Sequence, residues 1–167
     1  MTSVEMFKLG MRRLAAGVSL VTTRHEGIAY GLVATAVTSV TGDPPTLLAC
    51  VNRTASAHDP ITASGIFCIS LLADDHGAIA RRFANPAARG ERFGSDDWVT
   101  LETGAPALKG SLAAFDCEVI ERIPANSHTI FMGAIRKIDL WRGRIEPLLY
   151  VDGMFRKLSE IDERAPV

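Results

Sequence analysis

The sequence predicts a mainly β protein, an antiparallel barrel with a few short helices. Three observations carry that expectation. Runs rich in β-branched and apolar residues recur along the chain between turn-forming residues. The few helical stretches do not alternate regularly with strands, as a doubly wound parallel sheet would require. The length, 167 residues, buries a substantial core without disulfide or metal staples. We therefore expect one domain over residues 1–160, followed by a polar tail at 161–167.

The elements follow in order. In VEMFKLGMRRLAAG (4–17), Phe7, Met11 and Leu14 recur at helical spacing and Gly17 can end the turn, so a first helix is expected. Then VSLVTT, IAYGLVATAVTSV, TLLACVN and IFCISLL read as strands, the second as one long strand over 28–40. Asp59-Pro60 has the form of an N-cap followed by proline at the first helical position, opening a short helix that Gly65 stops. Asp74 or Asp75 can cap another helix running through Ile79 to Phe83. Residues 85–97 carry proline, glycine and mixed charge without periodicity, which reads as a surface loop and a candidate lid. In SLAAFDCEVIER, Ala113, Phe115, Cys117 and Val119 share one face, with Asp116 and Glu118 pointing the other way. HTIFMGAIRKIDLW and LLYVDG with FRKL complete the strands.

The composition narrows the function. A formal net charge of -1, with 18 basic and 19 acidic residues mixed along the chain, offers no nucleic-acid footprint and no anionic-membrane surface. The apolar runs are too short to span a bilayer and MTSVEMFKLGMRR lacks a signal-peptide core, so a cytoplasmic location is expected. Cys50, Cys68 and Cys117 lie far apart among apolar residues and read as buried thiols, with no metal site expected. Neither G-x-G-x-x-G after a strand nor G-x-x-x-x-G-K-[ST] occurs, so any nucleotide must be held by other means.

Several stretches could carry chemistry. In GLVATAVTSV (31–40), small and hydroxyl-bearing residues mix on both faces, which suits a wall against a flat heteroaromatic ring; the alternative is hydroxyls that bond neighbouring backbone. Asn52, Arg53, Thr54 and Ser56, between a strand and a short helix, combine amide, guanidinium and hydroxyls in a way that suits phosphate, or else form a capped, solvated loop. Ser56, His58 and Asp59 are a poor hydrolase triad, because such triads draw on separate elements and adjacent residues do not readily aim at each other. His128, at the start of a strong strand, can contact substrate or shift protons near neutrality, or be satisfied at a strand end. Arg81 and Arg82 read as a solvated face, and His25 and His76 as surface residues.

Taken together, MRRLAAGVSLVTT, YGLVATAVTSVTGDPPTLLACVNRTAS, SGIFCISLLADD, RRFA with ERF, GAPALKGSLAAFDCEV, SHTIFMGAI and PLLYVDGMF resemble, nearly end to end, the flavin reductase-like family. Members are short NAD(P)H:flavin oxidoreductases that serve two-component monooxygenases. The resemblance implies an FMN-binding split β-barrel of Greek-key type, usually a homodimer with sites near the subunit interface. By the same resemblance Ala34, Thr35, Ala36, Val37, Thr38 and Ser39 hold the isoalloxazine. Asn52, Arg53, Thr54 and Ser56 hold the ribityl chain and phosphate. His128, the one catalytic candidate, lines the nicotinamide side with Tyr150, Val151, Asp152 and Gly153. Many relatives carry Gly-Asp-His where this chain has Asn126-Ser127-His128, a departure beside the candidate histidine.

The implied reaction is hydride transfer from NADH to flavin, FMN with FAD as the alternative and NADPH as the alternative donor, supplying reduced flavin to a partner oxygenase. Two other readings share the fold: a flavin-dependent reductase of another acceptor such as a cobalt corrinoid, and a non-catalytic flavin-binding module. A heme-binding barrel is disfavoured, since none of the four histidines has a claim to axial ligation.

Overall fold

The structure is a computed structural model that describes residues 2–95 and 97–159; the tail expected at 161–167 lies outside the described residues. It contains helices α1 (Ser3–Met11), α2 (His58–Ser64) and α3 (Gly77–Ala84). The strands are β1 (Ala16–Gly17), β2 (Ser19–His25), β3 (Ile28–Ala34), β4 (Val37–Gly42), β5 (Pro45–Asn52) and β6 (Ile66–Leu71), then β7 (Trp98–Thr100), β8 (Pro106–Leu108), β9 (Ala113–Ala125), β10 (His128–Asp139), β11 (Leu149–Val151) and β12 (Met154–Arg156).

Seven strands form one antiparallel sheet in the order β3-β2-β6-β9-β10-β5-β4. Tyr30 and Leu32 of β3, Val21 of β2, Phe67 and Ile69 of β6, Cys117 of β9, Phe131 of β10, Ala49 and Val51 of β5 and Val37 of β4 all meet in one apolar cluster. A flat sheet cannot bring its two edges to one cluster, so the sheet curls into a barrel, and Ile61 of α2 packs into the same interior. The antiparallel barrel expected from the strand pattern is therefore present, and its period-2 burial is legible in β5, where Leu47, Ala49 and Val51 face inward.

The long strand expected over 28–40 is two strands. β3 and β4 lie at opposite ends of the sheet order, and the chain passes from one to the other at Thr35 and Ala36. Closing the barrel needs that break, because one strand cannot occupy both edges.

Other expectations need adjusting. Helix α1 ends at Met11 with Arg12 as its C-cap, short of Leu14, and Gly17 belongs to β1; its start is a capping box in which Thr2 Oγ1 accepts from the Glu5 N–H and Glu5 accepts from the Thr2 N–H. Helix α2 begins one residue before Asp59, capped by no side chain, and ends as expected at Gly65 with φ 71°. The Asp74–His76 turn is 3-10, and α3 follows it.

Asp116 points away from the barrel interior as its alternation predicts, yet it is fully buried, because the β7–β8 hairpin covers that face. Its carboxylate accepts from the Thr103 N–H at 2.6 Å and from the Thr103 hydroxyl. Cys68, Ala105, Ala107 and Ala114 form the apolar layer there. Burial raises the Cys68 thiol pKa well above its ordinary value and pushes that of Cys117 up to about 12. Both are inert buried thiols; Cys50 is half-buried.

The segment read as a lid is strapped down. Residues Pro86–Glu91 form a 3-10 turn, Phe93 packs with Phe83 and Trp98, and Arg92 is buried beneath it.

Candidate functional site

The split between β3 and β4 leaves a gap beside β5. The Cys50 N–H bonds the Ala36 carbonyl at 2.9 Å, which ends the ladder on that side. Further along β5, the Arg53 N–H donates to the Ser127 carbonyl at 2.9 Å across the β10 side. Antiparallel alternation then turns the Asn52 N–H toward the side that β4 has left, open to an incoming acceptor.

Thr35 and Ala36 line a cleft of about 720 Å³ whose other walls are Tyr150, Val151, Asp152 and Gly153 of the β11–β12 turn and Phe7, Lys8, Met11 and Arg12 of α1. Two segments more than a hundred residues apart, each expected to hold part of a nucleotide, thus face one another. The turn that presents Asp152 and Gly153 has φ of 51° and 78° at these residues, a conformation glycine adopts freely and aspartate tolerates. It is clasped to α1: the Asp152 N–H donates to the Arg12 carbonyl at 2.8 Å and Arg12 Nε to Asp152 Oδ1 at 2.9 Å.

Within the stretch 34–39 the roles divide. Ala34 and Val37 are half-buried and pack against the barrel core. Thr38 and Ser39 lie exposed on edge strand β4. Only Thr35 and Ala36 reach the cleft.

The second group lies in the turn between β5 and α2. Asn52 Oδ1 accepts from both the N–H and the hydroxyl of Thr54 at 2.9 Å, an Asx turn that shapes the loop. Arg53 and Thr54 are exposed, and Ser56 is half-buried. Asn52 is the cross-strand partner of His128, so the two side chains stand next to each other on one face. Since Asn52 is two residues beyond Cys50, this group starts about 7 Å along β5 from Ala36. The loop and His128 thus lie along β5 from the cleft and do not themselves line it.

The departure beside His128 is accommodated locally. Asn126 adopts φ 54°, which asparagine tolerates in place of glycine, and the Ser127 hydroxyl lies 2.9 Å from His128 Nδ1. That bond holds the ring and leaves Nε2 available.

His58 and Asp59 do aim at each other: Nδ1 lies 2.7 Å from Asp59 Oδ1, while Nε2 lies 2.8 Å from Thr129 Oγ1. The third member is the buried Thr129 of β10 and Ser56 is not part of the chain of bonds, so the arrangement fastens α2 to the strand that carries His128 and presents no accessible nucleophile. His76 is half-buried and not a surface residue; its Nδ1 accepts from the Ala73 N–H at 3.0 Å, and burial first of all lowers its pKa. Arg81 is exposed and Arg82 lines a separate polar cleft with Asp75 and Asp97. Among the described residues no cluster suits a metal ion.

Sequence reasoning missed two parts of the site. The apolar face of α1 reads as core, and periodicity cannot say that it borders a cleft. Arg92, whose Nη1 lies 3.4 Å from Ser56 Oγ, belongs to the ERF piece of the resemblance, but no spacing along the chain places it behind Ser56.

A family model described as flavin reductase like domain matches residues 11–159. The chain is 39% identical over 163 residues to "FMN reductase (NADH) RutF 2" of Methylorubrum extorquens (strain PA1), covering 98% of this chain and 94% of that one. It is similar in structure to BorF, the flavin reductase component of a bacterial two-component tryptophan halogenase, with TM-score 0.86 and 31% identity over 95% of this chain and 100% of that one. A second solved relative is the Streptomyces globisporus C-1027 NADH:FAD oxidoreductase SgcE6 in complex with NAD and FAD fragments, with TM-score 0.87 and 30% identity over 96% of each chain.

Proposed function

Because the chain belongs to the flavin reductase-like family, we propose that it is an NADH-dependent flavin reductase whose residues 1–160 act as one domain and whose reduced flavin serves a partner oxygenase. It oxidises NADH and reduces FMN, with FAD the alternative acceptor. The observation that carries the reading for this chain is the placing of the Thr35–Ala36 cleft and the Asn52–Ser56 loop along the same strand β5, joined at Ala36 and Cys50, with His128 paired to Asn52.

The residues fit a flavin by their chemistry. Small side chains at Ala36 and Gly153 admit a flat ring, and the Thr35 hydroxyl is a donor suited to its polar edge. Ser56 and Arg53 supply donors for a phosphate. When bound, flavin and nicotinamide supply the redox chemistry themselves, hydride passing from one ring to the other. The protein aligns and shields: Tyr150 to Gly153 wall the cleft opposite Ala36, and His128, its ring held by Ser127, offers Nε2 to the nicotinamide. No residue is required as a general base.

Rapid anaerobic mixing of protein and equimolar FMN with NADH tests this, read at the visible flavin band. Protein-dependent bleaching is the expected result; flavin binding without bleaching would sink the reductase reading. His128→Ala is expected to raise the KM for NADH about tenfold and to change the FMN dissociation constant far less. An unchanged KM removes His128 from the nicotinamide side.

The same reading pairs two copies. Helix α1 has no buried residue, although Met6, Phe7 and Met11 are apolar and 54%, 65% and 48% exposed. A second copy covers this face, so sedimentation equilibrium should return twice the 18.0 kDa chain mass. A monomer at micromolar concentration rules the pairing out. No described helix is long and apolar enough to cross a membrane, and we place the protein in the cytoplasm, where NADH is supplied.

A further inference from the structure

Arg92 is 7% exposed, and every atom it bonds is neutral. Nη1 donates to the Gly31 carbonyl at 2.8 Å and to Ser56 Oγ at 3.4 Å. Nη2 donates to the Phe83 and Asn85 carbonyls at 2.8 and 3.3 Å. The guanidinium also lies over the Phe83 ring, 5.4 Å from its centroid. Nε has no partner, and no carboxylate pairs with Arg92 among the described residues.

A buried cation without a counter-ion is costly, and proteins retain one where a ligand or a second charge completes it. Burial, with a smaller repulsion from Arg89, lowers the pKa of the group from its ordinary value, which reflects that cost. The acceptor carbonyls hold the fork in place but carry no negative charge. The one bonded atom that belongs to the candidate site is Ser56 Oγ. Because that oxygen accepts from Arg92, its own proton is turned away from the guanidinium, and no other bond of this hydroxyl is made within the described residues. Ser56 is thus left as a donor with a positive charge behind it. The donor and the charge together suit a phosphoryl group.

We propose that Arg92 is a positioning residue for the phosphate end of the flavin site: it aims the Ser56 hydroxyl outward and supplies the buried positive charge that the bound phosphate balances. This rests on the reading that the Asn52–Ser56 loop takes the phosphate. Arg92 acts through Ser56 and the local field. The strap formed by residues 85–93 then has a functional reason, since it carries the charge to the back of the loop from a distant part of the chain.

The test compares FMN with riboflavin, which has the same ring and no phosphate, by flavin fluorescence quenching on the full chain. Wild type should bind FMN more tightly than riboflavin; equal affinities would refute the phosphate role of the loop itself, a separate failure from that of Arg92. With the wild-type preference established, Arg92→Lys, which keeps charge but loses the planar fork, should weaken FMN about tenfold with little change for riboflavin. Ser56→Ala should weaken FMN in the same selective way, and the double variant should fall short of the sum of the two losses. A merely structural Arg92 would lower the melting temperature and leave the ratio of FMN to riboflavin affinity unchanged, which overturns the proposal. Should Arg92→Lys fail to fold, wild type still decides: the Arg92 Hε resonance in nitrogen-15 spectra should shift on adding FMN and stay in place on adding riboflavin. The same shift with both flavins, or with neither, refutes the link to phosphate.

Discussion

Ala36→Trp should abolish most flavin-dependent NADH oxidation, lowering turnover about a hundredfold, because displacement of reacting groups by an ångström is enough for a loss of that size. Ala36 is exposed and lies where β3 gives way to β4, with its side chain on the cleft that faces Tyr150 to Gly153. Its structural bond is made by the backbone: the carbonyl accepts from the Cys50 N–H, and a larger side chain leaves that bond intact. The indole therefore fills the space between connector and turn without touching the core. Steady-state NADH oxidation with FMN, flavin titration and a melting curve should show lost turnover, weakened FMN binding and a melting temperature within about 2 °C of wild type, as for exposed substitutions generally. Normal turnover in the variant would place the flavin elsewhere.

Gly133→Ala should give the largest loss of stability. A Cβ built at Gly133 would stand 2.7 Å from Phe67 Cε1 and 2.8 Å from Cys117 Cβ, with the Phe67 ring tip closer still. Both residues are fully buried in the barrel interior, where Phe67 meets Phe131, Val21 and Ile61, so neither can withdraw freely. β10 also changes register against β9 between Met132 and Gly133, and glycine in a strand interior often marks such an irregularity. Overpacking of this kind costs about 1 to 3 kcal/mol, or a melting temperature lower by roughly 3 to 10 °C for a chain of this length. Phe67→Leu in the same chain should recover part of the loss, and a double-mutant cycle reads the coupling. Strict additivity would show that Phe67 is not what the methyl meets.

Much of this was legible in the chain itself. The strands are announced by local composition: β2, β5, β6, β9 and β10 fall where the β-branched runs lie, and inward residues alternate as written. The Asn52–Ser56 loop and His128 come together because β5 and β10 are neighbours and their ends coincide, a meeting that the sequence did not announce. Local pattern misled where a distant element changed the outcome. Asp116 reads as pointing away from the Phe115 and Cys117 face, and is nonetheless buried because the short β7–β8 hairpin, which has no sequence signal of its own, covers it. The run 28–40 reads as one strand because nothing in its composition marks Thr35 and Ala36 as a crossing between opposite edges.

By itself, then, the sequence determined an antiparallel β fold and, through the resemblance of its ordered motifs, a flavin reductase, and it singled out the Asn52–Ser56 loop and His128 as candidates. Those properties are written in residues close together or in motifs that keep their spacing. Only the tertiary structure decided that Thr35 and Ala36 alone of their stretch reach the cleft, that α1 forms its far wall, and that Arg92 stands behind Ser56. The reason is physical: closing a barrel forces one strand to break and brings edges, turns and buried charges from distant positions to the same place, and no local periodicity records which of them will meet.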